Sequence, residues 1–442
     1  MQTHRAAARR SRRGWGWIGA ALVAVAAAAG PAAAGKNWMQ FRGPGGSATS
    51  EDANVPTRWS ADRNVVWKAE LPGAGASSPI IVGKRVFLTC FRGYGVPGQT
   101  EGGMNRLRRS LLCVSRADGE IDWIQDLAVQ QPEQPRTREN HGYASSTPVS
   151  DGRGVFVFCG KSGVFAFSVE GRPLWHANVG AGLSGWGSAA SPVLHGNAVI
   201  VNASVEDQSL VALDKRTGRR AWRVGGIKEA WNTPLLAENA DGDVELIVAI
   251  PRKVLAFNPA TGEALWTCET DITWYMVPSM TAHEGVVYCI GGRSGKAASL
   301  AIRMGGKGDV TKTHRLWRTE KFSNVSSPVY HDGRLYFAQE QRGVATCLDA
   351  KTGKVIYEQP FVPRSGQVYA SPVLAGGNLY YPSRRNGVYV VPVGATFRVL
   401  AHNTLDDRST FNATPAVAGG RLFLRSDAGL YCLGTPGEKG KE

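Results

Sequence analysis

The sequence predicts an all-β fold, an eight-bladed β-propeller of four-stranded blades whose last blade is completed by an N-terminal strand. Three observations carry that prediction. A small residue followed by Pro recurs eight times at near-constant spacing. An 11-residue turn closing on an aromatic residue recurs between those copies. One Trp-led strand near the N-terminus belongs to no copy, while the last copy lacks such a strand.

The Pro copies are Ser78-Pro79, Thr147-Pro148, Ser191-Pro192, Thr233-Pro234, Val277-Pro278, Ser327-Pro328, Ser371-Pro372 and Thr414-Pro415. Their spacings are 69, 44, 42, 44, 50, 44 and 43 residues, and the long first interval contains an insertion from Phe91 to Ser110. A fixed period of this length is the signature of a repeat architecture. After each Pro come apolar residues and then a turn pair, such as Gly83-Lys84, Asp151-Gly152, Gly196-Asn197 or Gly377-Asn378. These pairs supply the positive φ that tight hairpins need. A second run follows (Val86-Phe87-Leu88, Leu335-Tyr336-Phe337), then a third, then a turn and a Trp-led fourth.

The turn before the fourth run is the most specific part. Ala212 to Trp222 reads A-x-D-x-x-T-G-x-x-x-W; Ala256–Trp266, Cys347–Tyr357 and Cys113–Trp123 keep it with single changes, and Ala166–Trp175 is one residue shorter. Asp and Thr satisfy turn amides, and Gly takes the left-handed position. Trp317 and Leu400 stand where the fifth and seventh copies require an aromatic or apolar residue, after degenerate turns. Four short strands per period, repeated eight times, make a propeller. Trp67, in Asn64-Val65-Val66-Trp67, supplies the eighth fourth strand and closes the ring. A solenoid would leave that final unit with an open edge.

The flanking segments bound the compartment. Residues 1–34 hold five Arg and no acid, then an apolar run from Trp15 to Ala29 and an Ala-rich end. That is the layout of a secretory signal peptide cleaved after Ala34, with an uncleaved anchor as the alternative. Ser11-Arg12-Arg13 is compatible with twin-arginine export. The single propeller is expected at 35–434 and a disordered tail at 435–442. The formal charge is +15, falling to +10 without residues 1–34. For an exported protein this points to envelope polyanions or acidic proteins rather than nucleic acid. None of the seven Cys is adjacent to another, and neither C-x-x-C, H-E-x-x-H, a Walker A loop nor G-x-S-x-G occurs. Free Cys serves as a small hydrophobe; a Cys90–Cys113 bridge across the insertion is the alternative for those two. Arg92, Arg106, Arg108 and Arg109 make the insertion basic, a solvated loop or a docking point for an acidic partner, to which Arg384-Arg385 could add.

The pattern resembles the pyrroloquinoline quinone (PQQ)-like β-propeller repeat family over nearly the whole mature chain. The 11-residue turn is similar to that family's tryptophan-docking motif, in which each Trp packs against a small residue and the Gly of the neighbouring blade. On that resemblance Trp67, Trp123, Trp175, Trp222, Trp266 and Trp317 are structural docking residues of the core. The opening Trp38-Met39-Gln40-Phe41-Arg42-Gly43-Pro44, with Trp59 and Ser77-Ser78-Pro79, resembles exported PQQ-like repeat proteins of planctomycete-type bacteria. The family includes BamB, a non-catalytic lipoprotein of the outer-membrane assembly machine, and the quinoprotein alcohol and glucose dehydrogenases.

The dehydrogenases carry PQQ on a Trp floor, a Ca²⁺ held by oxygen ligands, a catalytic Asp and a vicinal disulfide. Here the segments entering the inner strands offer Trp186-Gly187-Ser188, Ala230-Trp231-Asn232, Trp274-Tyr275-Met276, Ser323-Asn324-Val325 and Gln367-Val368-Tyr369, with only Glu139 and Asp406-Asp407 nearby as acids. Ca²⁺ takes six to eight oxygens, normally with carboxylates among them. The expectation is therefore no catalytic residue, no metal ligand and no cofactor, with PQQ and Ca²⁺ belonging only to the alternative, a quinoprotein dehydrogenase oxidising an alcohol or sugar. The expected function is a BamB-like exported scaffold, monomeric, not membrane-spanning, in the periplasm or cell envelope. It would bind an envelope protein, peptide or glycan at a funnel rim made by Tyr143, Trp186, Trp231, Trp274, Tyr369 and Arg384.

Overall fold

The computed structural model describes residues 37–99, 102–135 and 141–435. The expected signal peptide, nearly all of the expected tail and Glu139 lie outside them. The strands form eight sheets in a ring, each with four antiparallel strands, with one extra strand that the blade 5 segment adds to blade 4; the four are consecutive along the chain except in the last blade. There the N-terminal strand Val65–Glu70 pairs with Gly429–Leu433, Trp67 standing opposite Cys432. The chain thus closes the ring with its own first strand.

The period has a physical cause at each position. Beside Ala212↔Trp222 the ladders repeat a small residue opposite an aromatic: Cys113↔Trp123, Ala166↔Trp175, Ala256↔Trp266, Ala301↔Trp317 and Cys347↔Tyr357. In blade 7 the partner of Val390 is Ala401, one residue beyond the expected Leu400. Most Trp rings then lie over the turn Gly of the next blade. A Cβ built on Gly119, Gly171, Gly218, Gly262 or Gly353 would fall 2.5, 2.9, 2.7, 2.9 or 2.5 Å from the ring of Trp67, Trp123, Trp175, Trp222 or Trp317. These glycines have positive φ as well, so a side chain there is excluded twice. Trp67, Trp175 and Trp317 also donate Nε1 to a carbonyl of that turn, at 2.9, 2.9 and 2.8 Å.

The docking tryptophans are less interior than expected. Trp123, Trp175, Trp222 and Trp317 are only half-buried, because the fourth strand is the outer edge of its blade; Trp67 and Trp266 are buried. Trp266 is held differently. The degenerate turn of blade 5 is a detour whose Gly308–Asp309 pairs in parallel with Trp266 and Thr267, adding a fifth strand to blade 4. Glu245, buried beneath it, accepts from Trp266 Nε1 at 2.7 Å, Asn239 Nδ2 at 3.1 Å and Gly305 N at 3.0 Å.

The recurrent Ser/Thr-Pro is a joint between blades. Ser78 N donates to Thr147 Oγ1, Thr147 N to Ser191 Oγ, Ser191 N to Thr233 Oγ1, Thr233 N to Ser279 Oγ, Ser279 N to Ser327 Oγ and Ser327 N to Ser371 Oγ, all at 3.0 Å. Ser371 N donates to Thr414 Oγ1 at 3.1 Å. In the fifth copy, where Val277 precedes the Pro, Ser279 just after it supplies the hydroxyl. The ring stays open at one junction, between blades 8 and 1, where Ser78 Oγ is buried without a partner.

The opening Trp38–Ser50 runs across the bottom of this ring. Trp38 exchanges two backbone hydrogen bonds with Ile81 of blade 1, and Ser150 N of blade 2 donates to Met39 O. Arg42 donates to Met280 O at 3.2 Å and to Pro328 O, ahead of blades 5 and 6, and Leu374 of blade 7 pairs with Ala48 and Ser50. Arg42 is almost wholly buried, and burial lowers its pKa to about 9. The segment plugs the channel.

One expectation about the insertion is corrected and another holds. Arg109 is not in a solvated loop: the hairpin Arg85–Arg92/Arg108–Ser115 extends through it, and Arg109 is buried against Glu133 at 2.8 Å. Cys90 and Cys113 are free, as expected, and the alternative bridge between them does not form. They face Ser110 and Phe87 across the same ladder, and all seven thiols are free and buried.

Candidate functional site

With one end plugged, the channel opens at the other into a cavity of about 700 Å³. Phe41 of the plug and the Ser/Thr ring form part of its wall. Above the ring the wall divides into two chemically different sides.

On the side of blades 3 to 5 Tyr275 lies amid three tryptophans. Its ring centroid is 5.4 Å from Trp186, 5.6 Å from Trp231 and 4.8 Å from Trp274. Trp186, Trp231 and Tyr275 line the cavity, whereas Trp274 stands behind Tyr275, with Arg293 and Lys296 over its ring. The loop carrying Trp186 is tied down on both flanks. Trp231 Nε1 donates to Gly187 O at 2.8 Å, and the half-buried His141 contacts Trp186 O and Ser145 Oγ through its two ring nitrogens. Burial lowers the His141 pKa, which favours the neutral ring.

On the side of blades 5 to 7 the wall is cationic and amide-bearing. Arg293, Arg342, Gln339 and Gln341 line it, with Tyr369 beside them. Arg384 lies with its guanidinium 4.6 Å from the Tyr369 ring centroid, and donates to Asn412 Oδ1 at 2.9 Å and Gln367 Oε1 at 2.8 Å. Among the described residues none of these three arginines has a carboxylate partner in a salt bridge. Among the described residues the single acid lining the cavity is Glu340. It accepts from Asn324 N at 2.9 Å, and burial raises its pKa.

Of the six rim residues expected from the sequence, the structure brings Trp186, Trp231 and Tyr369 to the cavity and sets Arg384 and Trp274 one layer behind. Tyr143 is elsewhere. It is buried under the blade 1 insertion, edge-on to Phe91 at 5.5 Å, and its hydroxyl donates to Gln134 O. The sequence reading passed over Tyr275, Arg293, Arg342 and Glu340. Tyr275 adjoins Trp274 on the same inner-strand approach, while the other three come from hairpins between second and third strands, which also face the mouth. One more carboxylate was missed. Glu206 is fully buried in a small side cavity near Arg109 and Glu133, one of its oxygens unpartnered, and burial raises its pKa to about 7.

The donor set does not match a quinone–calcium centre. Among the described residues no three of His, Cys, Asp and Glu converge, and one carboxylate among amides falls short of what Ca²⁺ takes. The aromatic rings meet at 39–69° rather than forming an open flat slot.

A family model described as outer membrane protein assembly factor BamB matches residues 108–359 and 307–401. The chain belongs to the PQQ-like repeat propeller family. It is similar to the outer membrane protein assembly factor BamB of Burkholderia pseudomallei, 24% identical over 412 residues, covering 87% of this chain and 93% of that protein. Among solved structures it resembles BamB from Moraxella catarrhalis, with a TM-score of 0.54 at 15% identity over 74% of this chain and 92% of that one. It also resembles the quinohemoprotein alcohol dehydrogenase of Comamonas testosteroni, with a TM-score of 0.61 at 10% identity over 90% and 80%. At these identities the structural likenesses speak to the fold, a BamB-like and quinoprotein-dehydrogenase-like propeller. Among the described residues no helix is long and apolar enough to cross a membrane.

Proposed function

We propose that this PQQ-like repeat protein is an exported, non-catalytic scaffold that binds an envelope ligand, a protein, peptide or glycan, in its funnel. The observation that carries the reading is the composition of the mouth. Tyr275 and its tryptophans, the amides and the arginines suit contact, and the one carboxylate on the wall among the described residues is engaged by a neighbouring amide. A dehydrogenation at neutral pH needs a positioned base beside the cofactor, and among the described residues the wall offers no second acid to share that work with a metal. The likeness to BamB supports a partner in envelope assembly, and the N-terminal leader expected from the sequence supports export. A monomer with no nucleic-acid partner fits the same reading.

Two measurements test it. Titration with PQQ and Ca²⁺, followed by a dye-linked alcohol or sugar assay, should show no turnover; micromolar PQQ binding with turnover would replace the scaffold by an oxidoreductase. Ser294→Cys carrying a photo-crosslinker, at the mouth, should capture an envelope component that Arg216→Cys on the opposite face does not. The native thiols are all buried, so labelling is selective.

A further inference from the structure

We propose that the ligand of the funnel is the end of an acidic oligosaccharide, sugar rings bearing carboxylate or sulfate groups. The inference rests on the reading that the funnel binds an envelope ligand and specifies its chemistry.

The two walls define it. The Tyr275 cluster offers half-exposed aromatic surface beside the hydroxyls of the Ser/Thr ring. A pyranose suits such a surface, because its C–H face meets the negative face of an aromatic ring while its hydroxyls remain free to bond. The opposite wall supplies Arg293 and Arg342, both exposed and neither paired with an acid among the described residues, with Arg384 behind Tyr369. Guanidinium groups bind carboxylate and sulfate oxygens in a planar fork. Glu340 lies on the same wall within the field of Arg293 and offsets part of its charge, but two exposed arginines against one buried carboxylate leave that side net cationic. An aromatic side and a net cationic side across one cavity call for a ligand that is ring-shaped and anionic. The plug makes the funnel blind, so it takes a chain end, and about 700 Å³ holds roughly two or three sugar rings.

An acidic peptide fits less well. Extended peptides dock by adding a strand or by seating apolar anchors in pockets. At the mouth the inner-segment amides are already spent on the Ser/Thr ring and the next residue is usually Pro, which has no N–H. Deeper in, Ile81, Ser150 and Leu374 give theirs to the plug.

Calorimetric titration of the mature protein with trigalacturonate, a sulfated disaccharide, cellotriose and hexaglutamate decides the matter. At least one anionic sugar should bind, more tightly than cellotriose. Arg293→Gln/Arg342→Gln should weaken it at least roughly tenfold, as loss of charge-assisted hydrogen bonds does, and leave cellotriose unchanged. Added salt should weaken it too. Both arginines are exposed, and an unchanged melting curve shows that the variant is folded. Failure of both anionic sugars to bind overturns the proposal. So does hexaglutamate binding as tightly as the better of them, or indifference to the double substitution. If the sugars fail but Ser294→Cys still captures an envelope component, the scaffold reading stands without this ligand; if capture fails too, both fall.

Discussion

Ser78 and Ser191 occupy equivalent places in the ring of hydroxyls, and each is 2% exposed, yet they should respond oppositely to the same substitution. Ser191 Oγ accepts the Thr147 amide at 3.0 Å. Ser191→Ala strands that amide in the interior, and an unsatisfied buried donor costs about 1–3 kcal/mol. Ser78 Oγ has no partner among the described residues. Ser78→Ala removes a buried polar atom that gains nothing in the fold, so stability should stay within about 0.5 kcal/mol or rise. Burial and volume change are matched, so the difference isolates the hydrogen bond. Urea unfolding followed by Trp fluorescence gives the comparison, provided the slope is the same in both variants. Amide exchange at Thr147 supplies a local check and should accelerate only in Ser191→Ala. Equal midpoint shifts, or unchanged exchange at Thr147, would refute the idea that these hydroxyls join the blades.

Trp222→Ala should cost roughly 2–4 kcal/mol, below the full penalty for a buried aromatic because the ring is half-exposed, and Gly262→Ala should also destabilise, its φ being +76° and its Cβ site 2.9 Å from that ring; denaturant midpoints check both. Glu245→Gln places an NH₂ among three donors and should cost about 2–4 kcal/mol, with exchange at Gly305 rising first. For Glu206 the folded pKa of about 7 lies above the ordinary 4.5. Protonation then favours the fold, so its contribution is complete below pH 4.5 and is lost as pH rises through 7. Glu206→Gln should therefore gain up to roughly 3 kcal/mol over the parent at pH 8 and little at pH 4, and parallel stability curves across that range would show otherwise. Deleting residues 35–70 removes both the plug and the closing strand, and should abolish cooperative unfolding in calorimetry.

The parts of the fold that were legible in the sequence are those fixed by local chemistry. Pro, turn Gly and Trp each answer to a constraint repeated in every blade, so period, strand count and closure by the strand at Trp67 all showed. The plug did not, because Trp38–Ser50 occurs once and its partners lie on blades far apart in sequence. The role of the Ser/Thr before Pro was hidden for a related reason: its hydrogen bond reaches the next blade. The degenerate turn before Trp317 concealed a gain, the extra edge strand over Trp266. At the mouth, approach segments carry a landmark Pro that places Trp186 and Trp231. The second-to-third hairpins carry none, so Arg293, Arg342 and Glu340 escaped notice. Tyr143 stands on an approach segment too, but the blade 1 insertion packs Phe91 and Tyr94 against it and buries it.

The one open junction of the ring is also the one where the blades are not joined by the ordinary run of the chain. Between blades 8 and 1 the fourth strand comes from the N-terminus, so the seam must be held by side chains. Trp67 covers Gly119 and bonds to Arg116 O. In place of the missing hydroxyl link, Arg425 Nη1 donates to Ser77 O at 2.7 Å and Gly75 N donates to Asp427 Oδ1 at 3.2 Å. These substitutes are charged and desolvated: burial lowers the Arg425 pKa to about 10 and raises that of Asp427. A buried charge with partial hydrogen bonding is weaker support than a satisfied neutral pair. The seam is therefore where we expect the ring to open first. The plug, which bonds to blades 1, 2 and 7, compensates by tying the blades that flank blade 8 to one segment.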